Sequence, residues 1–239
     1  MIIRKTDIVD YRKFRFSKLN TPEFEHLKYL VFWPVYGLMF MTVERLWIRD
    51  SYTPIHCALD DAIPFCEYFL IPYLFWFIFL TGVIVYTLFC DTEAFKKMMR
   101  FIIVSYSAAI LIYILFPNCQ ELRPLAFERD NVFTRFISGF YQFDTNTNVC
   151  PSIHVIGSVA AMFAAWDSRH FSTPGWKAVF GVTAFLISIS TVFIKQHSII
   201  DLFAAIPICL FAYCLAYGKK ETHRDREGAS QWKKEQSNT

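Results

Sequence analysis

The sequence contains little charge and little glycine. Charged residues make up 19% of the chain, and it holds 8 glycines in 239 residues. Low charge combined with high hydrophobicity excludes an intrinsically disordered chain. So few glycines exclude collagen-like and glycine-rich chains. The 7 cysteines are spread thinly over a long chain, which excludes a small scaffold held together by disulfides.

Apolar residues are abundant and occur in long uninterrupted runs. Hydrophobic residues make up 54% of the chain. Residues 68–90 and 101–120 contain no charge, and each run is long enough to cross a bilayer core of about 30 Å as a helix. Four shorter windows, each of which also fits a buried core helix, are 29–43, 151–166, 178–194 and 202–218. Because six such windows leave little sequence for a soluble surface, we predict an all-α, polytopic membrane bundle of six transmembrane helices.

The basic residues predict the orientation of this bundle. Most of the 24 lysines and arginines lie before the first span, in the loops after the second and fourth spans, or after the sixth. The positive-inside rule then places both termini in the cytoplasm. We expect no cleavable signal peptide, because the first residues are polar and basic. The predicted divisions are a basic cytoplasmic segment (1–28), a multi-pass domain in the cell membrane (29–218) and a charged cytoplasmic tail (219–239).

One connection, residues 118–150, is long enough to suggest a function. It is predicted to lie on the outer face. Its apolar residues Val132, Phe133, Phe136 and Phe140 fall at helical spacing, which predicts a short amphipathic helix. The segment is interpreted either as a re-entrant plug or as a lid over a site. Cys119 and Cys150 flank it, and free thiols are expected there rather than a bridge.

Three polar clusters stand at the predicted outer ends of spans. They comprise residues 122–124, 151–154 and 195–201. In the third cluster, His197 and Asp201 are four residues apart and share a helix face. An aspartate that accepts a proton from one imidazole nitrogen leaves the other nitrogen as a nucleophile or base. The alternative is a solvated helix start, in which Asp201 simply interacts favourably with the helix N-terminus.

The other two clusters add groups suited to an anion. Ser152 and His154 lie in the first turn of a predicted helix, whose free amides form a ready anion site. The alternative here is a helix cap with a stray histidine. Arg123 offers a fork of donors that fits phosphate oxygens, although a single arginine also fits the lipid headgroup level. The set suits phosphoryl transfer, where catalysis is mostly positioning and charge stabilisation. Zinc binding by two His and one Asp is the rival use, which Arg123 and Lys195 disfavour.

In this order, these residues resemble the type 2 phosphatidic acid phosphatase superfamily. That family has the motifs Lys-x6-Arg-Pro, Pro-Ser-Gly-His and Ser-Arg-x5-His-x3-Asp. The matching stretches are Arg123–Pro124, Pro151–His154 and Ser190–Asp201. Residues 146–155 and 190–197 look most like a divergent branch common in Gram-positive bacteria. The resemblance covers residues 70–217 and implies six spans with the site at the outer face.

The resemblance also implies a role for each matching residue. His197 attacks phosphorus and forms a phosphohistidine, Asp201 orients it, and His154 protonates the leaving alkoxide. The phosphate oxygens are held by Arg123, Ser152 and Lys195, and neither a metal nor an organic cofactor is required.

Three positions depart from the family motifs. Phe116 stands at the family lysine, Ile153 at the glycine, and Thr191 at the arginine of the third motif. Lys195 is expected to replace one missing cation, and Arg129 or Arg135 the other. Sphingomyelin-synthase-like phosphotransferases also keep the two His and the Asp without the full basic set.

Three hypotheses follow for function. The first is a lipid phosphate or pyrophosphate phosphatase, with phosphatidic acid, phosphatidylglycerophosphate and a polyprenyl pyrophosphate as candidate substrates. The second is a transferase that moves a phospho-head-group to a lipid alcohol. The third is a non-catalytic lipid-binding protein. The expected partners are a lipid phosphate and the bilayer, and no nucleic acid.

Overall fold

The computed structural model describes residues 9–218. Within this range the helices are α1 (Phe32–Met41), α2 (Ala58–Ala62), α3 (Leu70–Cys90), α4 (Thr92–Leu115), α5 (Val132–Phe143), α6 (Ile153–Asp167), α7 (Pro174–Phe193) and α8 (Ile199–Tyr217). Two very short strands, β1 (Thr53–Pro54) and β2 (Asn118–Cys119), pair in parallel. The predicted tail 219–239 and residues 1–8 of the predicted basic segment lie outside the described residues.

Four of these helices are long and apolar enough to cross a membrane. They are α3 together with the turn before it (Glu67–Cys90), α4, α7 and α8. The predicted fourth span is the shorter apolar helix α6. The predicted first span is α1, preceded by the 3-10 turn Glu25–Val31. The chain is therefore a mostly helical membrane protein with four long apolar helices, whereas the count of six spans stays a prediction.

Helix α4 begins earlier than the charge-free window predicted. The window covered 101–120, but the helix runs over Thr92–Leu115. Its first turns carry basic side chains that have partners, such as Lys97, whose Nζ lies 2.9 Å from Asp167 Oδ2. Asp91 caps the helix by accepting a hydrogen bond from the Ala94 amide. A search for uncharged runs therefore finds only the apolar part of a helix that also carries a charged end.

Helix α6 packs against α3, α4, α7 and α8. Its buried residues are mostly small, and they are Val155, Ile156, Gly157, Ser158, Ala160, Ala161, Ala164 and Ala165. At Gly157 an added Cβ would lie 2.7 Å from Tyr106 Oη and 3.0 Å from Trp76 Nε1. Only glycine permits this close approach, which sets α6 directly against its neighbours and fixes the position of its first turn.

Helix α5 packs on residues at the start of α3 and after α7. The predicted amphipathic helix in the long connection is confirmed as Val132–Phe143. Its Ile137 is completely buried and packs in a small apolar cluster with Leu70, Tyr73 and Ile194. This cluster joins α5 to the start of α3 and to the connection between α7 and α8. A role for this segment as a lid stays a prediction.

The strand pair joins two connections. Thr53 pairs with Asn118 and Pro54 with Cys119. Cys119 and Cys150 are both buried free thiols, as expected from the sequence. The short ladder therefore holds the connection between α1 and α2 against the start of the long connection without a disulfide.

Candidate active site

The centre of the candidate site is the pair formed by His197 and Asp201. The His197 Nδ1 atom lies 2.9 Å from Asp201 Oδ2, and both residues are buried. The same carboxylate oxygen accepts a hydrogen bond from the Ser198 amide at 3.1 Å. A histidine bonded through Nδ1 to a carboxylate presents Nε2 as the nucleophilic or basic nitrogen. The predicted i, i+4 pair is therefore formed, with His197 just before α8 and Asp201 in its first turn.

The second histidine lies close to the first. The ring centroids of His154 and His197 are 5.7 Å apart. The His154 ring is stacked on Tyr73 at 4.6 Å and lies 4.5 Å from Trp76. Neither ring nitrogen of His154 has a hydrogen-bond partner among residues 9–218. Aromatic packing therefore orients this ring, and both nitrogens remain available for a proton transfer.

Ser152 connects the starts of the two helices that carry these histidines. Its hydroxyl accepts a hydrogen bond from the Val155 amide and caps α6. Its own amide donates to the Asp201 carbonyl at 3.2 Å. The side chain is fully buried. The structure thus brings Ser152, His154, His197 and Asp201 together, as the sequence predicted.

Arg123 lies near this group, and four of its five N–H donors are occupied, while its buried Nε has no hydrogen-bond partner among residues 9–218. Its guanidinium donates to the carbonyls of Tyr141, Asp144 and Thr145 and to Gln196 Oε1, at 2.6–3.0 Å. Burial lowers its pKa, and the Asp144 carboxylate opposes that shift. Arg123 therefore ties the end of the long connection to the loop that carries His197, and it reaches the site through Gln196.

Lys195 points away from the histidines. Its Nζ donates to the carbonyls of Asp60 at 2.7 Å and Ile63 at 2.6 Å. The residue has a φ of 53°, so the backbone turns sharply just before His197. Desolvation lowers the pKa of Lys195, partly offset by Asp60 and Asp61. The structure places this lysine as a support of α2 and its C-terminal end and does not bring it to the histidine pair.

Asp60 supports the candidate site, and the sequence analysis did not predict it. Its carboxylate accepts hydrogen bonds from Ser198 Oγ at 2.6 Å, the Ile199 amide at 2.8 Å and the Cys57 amide at 2.9 Å. Burial raises its pKa, but these hydrogen bonds outweigh that effect, and the pKa is lowered overall. Asp60 thereby caps α8 from the distant short helix α2 and holds the segment that carries His197.

Asn118 supports the other side of the site and was also missed. Its amide nitrogen donates to the Phe116 and Cys150 carbonyls, both at 2.9 Å. Its amide oxygen accepts from the Val149 and Cys150 amides at 2.9 and 2.8 Å. One buried side chain thus satisfies four backbone groups, one at the end of α4 and three in the segment that leads into α6. A lone asparagine after an apolar run gives no sequence signal for this role.

A cavity of about 50 Å³ lies beside the histidine pair. Among the side chains that line it are Glu44, Asp144, Asn148, His154, Gln196 and His197. Burial raises the pKa of Asp144, opposed first by Arg123 and then by His197. The two carboxylates were not predicted as site residues. In the sequence, Glu44 is the first charged residue after an apolar run. This is the one signal that could have identified it as a site residue.

The structure shows the surroundings of two positions that depart from the family motifs, Phe116 and Thr191, and of the two arginines expected to replace a missing cation. Phe116 is exposed and contributes no charge. Thr191 is buried, and its carbonyl accepts hydrogen bonds from the Gln196 and His197 amides at 2.9 and 3.1 Å. Arg129 contacts Glu67, and Arg135 contacts Asp130, so neither ion pair is made with a cavity residue. Within residues 9–218, no group of three or more His, Cys, Asp or Glu side chains is placed to hold a metal ion.

Comparison with known proteins gives a partial match. No protein-family model matches the chain. No solved structure matches it. A protein of Dictyostelium discoideum named PA-phosphatase related-family protein is 35% identical over 69 residues, which is 29% of this chain and 12% of that protein. This similarity supports a distant relationship to a PA-phosphatase-related protein over part of the chain.

Proposed function

We propose that this membrane protein is a metal-independent lipid phosphate phosphatase that works through a phosphohistidine intermediate. The observation that carries the proposal is the buried His197–Asp201 pair, 2.9 Å apart, with the ring of His154 beside it. The partial similarity to a PA-phosphatase-related protein supports the same class of reaction. The substrate class is a phosphate monoester or pyrophosphate of a lipid.

In the first step, Nε2 of His197 attacks phosphorus and the bond from phosphorus to the lipid oxygen breaks. His154 donates a proton to the leaving alkoxide. Asp201 holds the proton on Nδ1 of His197 and stabilises the positive charge that forms on the ring. The products of this step are a lipid alcohol and a phosphohistidine.

In the second step, water attacks the phosphohistidine. The neutral His154 left by the first step accepts a proton from this water, and the bond from phosphorus to His197 breaks. Inorganic phosphate leaves, and both histidines return to their starting forms. The free amides of the α6 N-terminus, with Ser152 as the cap, stabilise the phosphate oxygens. Arg123 contributes positive charge from behind Gln196.

The same proposal places the protein in the cell membrane as a multi-pass protein. Both termini face the cytoplasm, and the histidine pair faces the extracytoplasmic side. A lipid tail then stays in the bilayer while its phosphate enters the site from the outer end of the bundle. Six spans are part of this proposal, with α1 and α6 as the two shorter ones.

The test is phosphate release by the purified full chain in detergent, with a chelator present. The substrates are phosphatidic acid, phosphatidylglycerophosphate and a polyprenyl pyrophosphate. We expect release from at least one substrate, an acid-labile phosphoryl label on the protein, and loss of both in His197→Ala. Turnover that survives in a folded His197→Ala variant contradicts the mechanism.

A second candidate is transfer of a phospho-head-group to a lipid alcohol. The observation that favours it is the scarcity of free positive charge at the cavity, which is lined by Glu44 and Asp144 while Lys195 points away. Such a site suits a phosphodiester with one negative charge better than a dianionic monoester. A product that forms only when an acceptor alcohol is added distinguishes transfer from hydrolysis.

A further inference from the structure

Besides the two ring nitrogens of His154, two buried amide atoms of residues that line the cavity beside His197 have no partner within residues 9–218. They are Oδ1 of Asn148 and Nε2 of Gln196. Asn148 is 5% exposed and Gln196 is 3% exposed, and both residues line the cavity. A buried polar atom without a partner costs about 1–3 kcal/mol, so two of them in one cavity point to a ligand that satisfies them.

The orientation of both amides is set by their other contacts. Nδ2 of Asn148 donates to Glu44 Oε2 at 3.0 Å, which leaves Oδ1 as the free acceptor. Oε1 of Gln196 accepts from Arg123 at 2.6 Å, which leaves Nε2 as the free donor. The cavity therefore offers one acceptor and one donor from amides. A hydroxyl group both donates and accepts, whereas an ammonium group only donates.

One of the two carboxylates at this cavity, Asp144, already lies near positive charge. Oδ2 of Asp144 lies 4.0 Å from Nη2 of Arg123. Arg123, His197 and Arg45 all stabilise the charged form of Asp144. Glu44 retains lone pairs beyond the two hydrogen bonds that it accepts from Thr147 and Asn148. Because the negative charge of Asp144 is partly offset by Arg123, the acceptors in this cavity favour a neutral donor over a cation.

We propose that Glu44, Asn148 and Gln196 form a subsite that binds a hydroxyl group carried by the substrate next to its phosphate. This inference rests on the proposed function, because it places the reacting phosphate at His197. The hydroxyl donates to Asn148 Oδ1 or to the Glu44 carboxylate and accepts from Gln196 Nε2. The preferred substrates are then lipid phosphates with a polyol head group.

The experiment measures binding to the full-length His197→Ala protein in detergent, where turnover does not interfere. The two probes are phosphatidylglycerophosphate and its analogue in which the head-group hydroxyl is replaced by hydrogen. One hydrogen-bonded hydroxyl predicts roughly tenfold tighter binding of the first probe. Two further proteins combine His197→Ala with either Glu44→Gln or Gln196→Glu. Glu44→Gln replaces an acceptor by a donor, and Gln196→Glu replaces a donor by an acceptor. Each is expected to reduce the preference for the hydroxyl to about twofold or less. Gln196→Glu keeps the oxygen that Arg123 contacts.

Glu67→Gln is the matched control. Glu67 is a buried glutamate that contacts Arg129 and Asn131 and does not line this cavity, so the preference stays at the parent value. Equal binding of the two probes, or a preference that survives both cavity substitutions, overturns the subsite. The same probes are then tested for turnover in the protein with His197 intact. A hydroxyl preference in binding without phosphate release contradicts the proposed function and leaves the subsite standing.

Discussion

The two histidine-bearing segments are supported in opposite ways. The segment before α6, which leads to His154, is held by Asn118 through three hydrogen bonds to backbone groups of Val149 and Cys150. The segment before α8, which carries His197, is held by the Asp60 carboxylate through Ser198 and Ile199. A neutral amide supports one histidine, and a buried carboxylate from the distant short helix α2 supports the other.

The difference follows from what each segment lacks. The chain around residues 148–150 presents both backbone donors and backbone acceptors, and only an amide side chain satisfies both kinds. The start of α8 presents free amide donors and a helix dipole, which a carboxylate satisfies better. We therefore expect Asn118 to act mainly on stability and Asp60 to act on the position of the nucleophile.

The largest effect is expected from Asn118→Ala. Loss of four buried hydrogen bonds destabilises the protein by about 4 kcal/mol, since each bond contributes about 1 kcal/mol. Unfolding in detergent, followed by circular dichroism, measures this change. Asn146→Ala is the matched control, because Asn146 is half-buried and its side chain donates only to the Gln120 carbonyl. Equal effects of the two substitutions contradict the special role of Asn118.

Asp60→Asn is expected to act on catalysis. The substitution keeps the shape but weakens the charge-assisted bonds to Ser198 and Ile199, so His197 is held less well. We expect kcat to fall about 10- to 100-fold with little change in KM, since misplacement of a reacting group costs about this much. Asp61→Asn changes the neighbouring exposed acid and serves as the control. A loss of stability with unchanged kcat makes Asp60 merely structural.

The Asp60 carboxylate also predicts a pH dependence. Its pKa is lowered in the folded protein. Its contribution to stability is therefore present above the ordinary carboxyl pKa and is lost as the pH falls through the folded value. The difference in unfolding temperature between the parent and Asp60→Asn is expected to shrink as the pH falls below about 4. A difference that is constant across this range contradicts the assignment.

Arg123→Lys sharpens the comparison, because Arg123 links the two segments. A lysine cannot make the four hydrogen bonds of the guanidinium fork to carbonyls and Gln196. We expect a loss of about 2 kcal/mol in stability, smaller than for Asn118→Ala, because the lysine retains part of the contacts. Lys195→Met tests the other cation in the same unfolding assay. If Arg123→Lys leaves stability unchanged and only raises KM, Arg123 binds substrate directly.

The smallest effect is expected from His56→Ala in the connection between α1 and α2. His56 Nε2 lies 2.8 Å from Asp61 Oδ1, and both side chains are largely exposed. The hydrogen bond to Asp61 raises the pKa of His56 above its ordinary value of 6.5. Its stabilisation is therefore present below pH 6.5 and is lost as the pH rises through the folded value. Unfolding temperatures at pH 5.5 and pH 9 should differ from those of the parent only at the lower pH.

The site could be predicted from the sequence only where its contacts are local. His197 and Asp201 are four residues apart at the start of α8, and Ser152 and His154 stand at the start of α6, so each pair is close in the sequence. The contact between His197 and Asp201 forms although His197 lies just before the helix rather than on it. Asp60 lies more than a hundred residues from its partner Ser198, and no spacing rule connects them. Glu44 reaches Asn148 across a similar separation, so its place at the cavity was missed.

Lys195 shows the opposite failure. Its nearness to His197 in the sequence suggested a phosphate ligand. The left-handed backbone at Lys195 turns its side chain toward Asp60 and Ile63. Two side chains that are two positions apart in a turn can point in opposite directions. The residue types alone do not reveal this. Closeness to His197 in the sequence therefore gave a wrong prediction for the position of the Lys195 side chain.

The residue pattern was sufficient to predict an apolar helical membrane protein with polar residues at the ends of its helices. Uncharged runs, helix caps and helical spacing act over a few residues, and each is read without knowledge of the rest of the chain. The folded chain was needed to identify the segments that support each histidine, the cation nearest the site and the carboxylates that line the cavity. Those choices depend on contacts between distant segments, because a buried donor or acceptor takes whichever partner packing brings within about 3 Å.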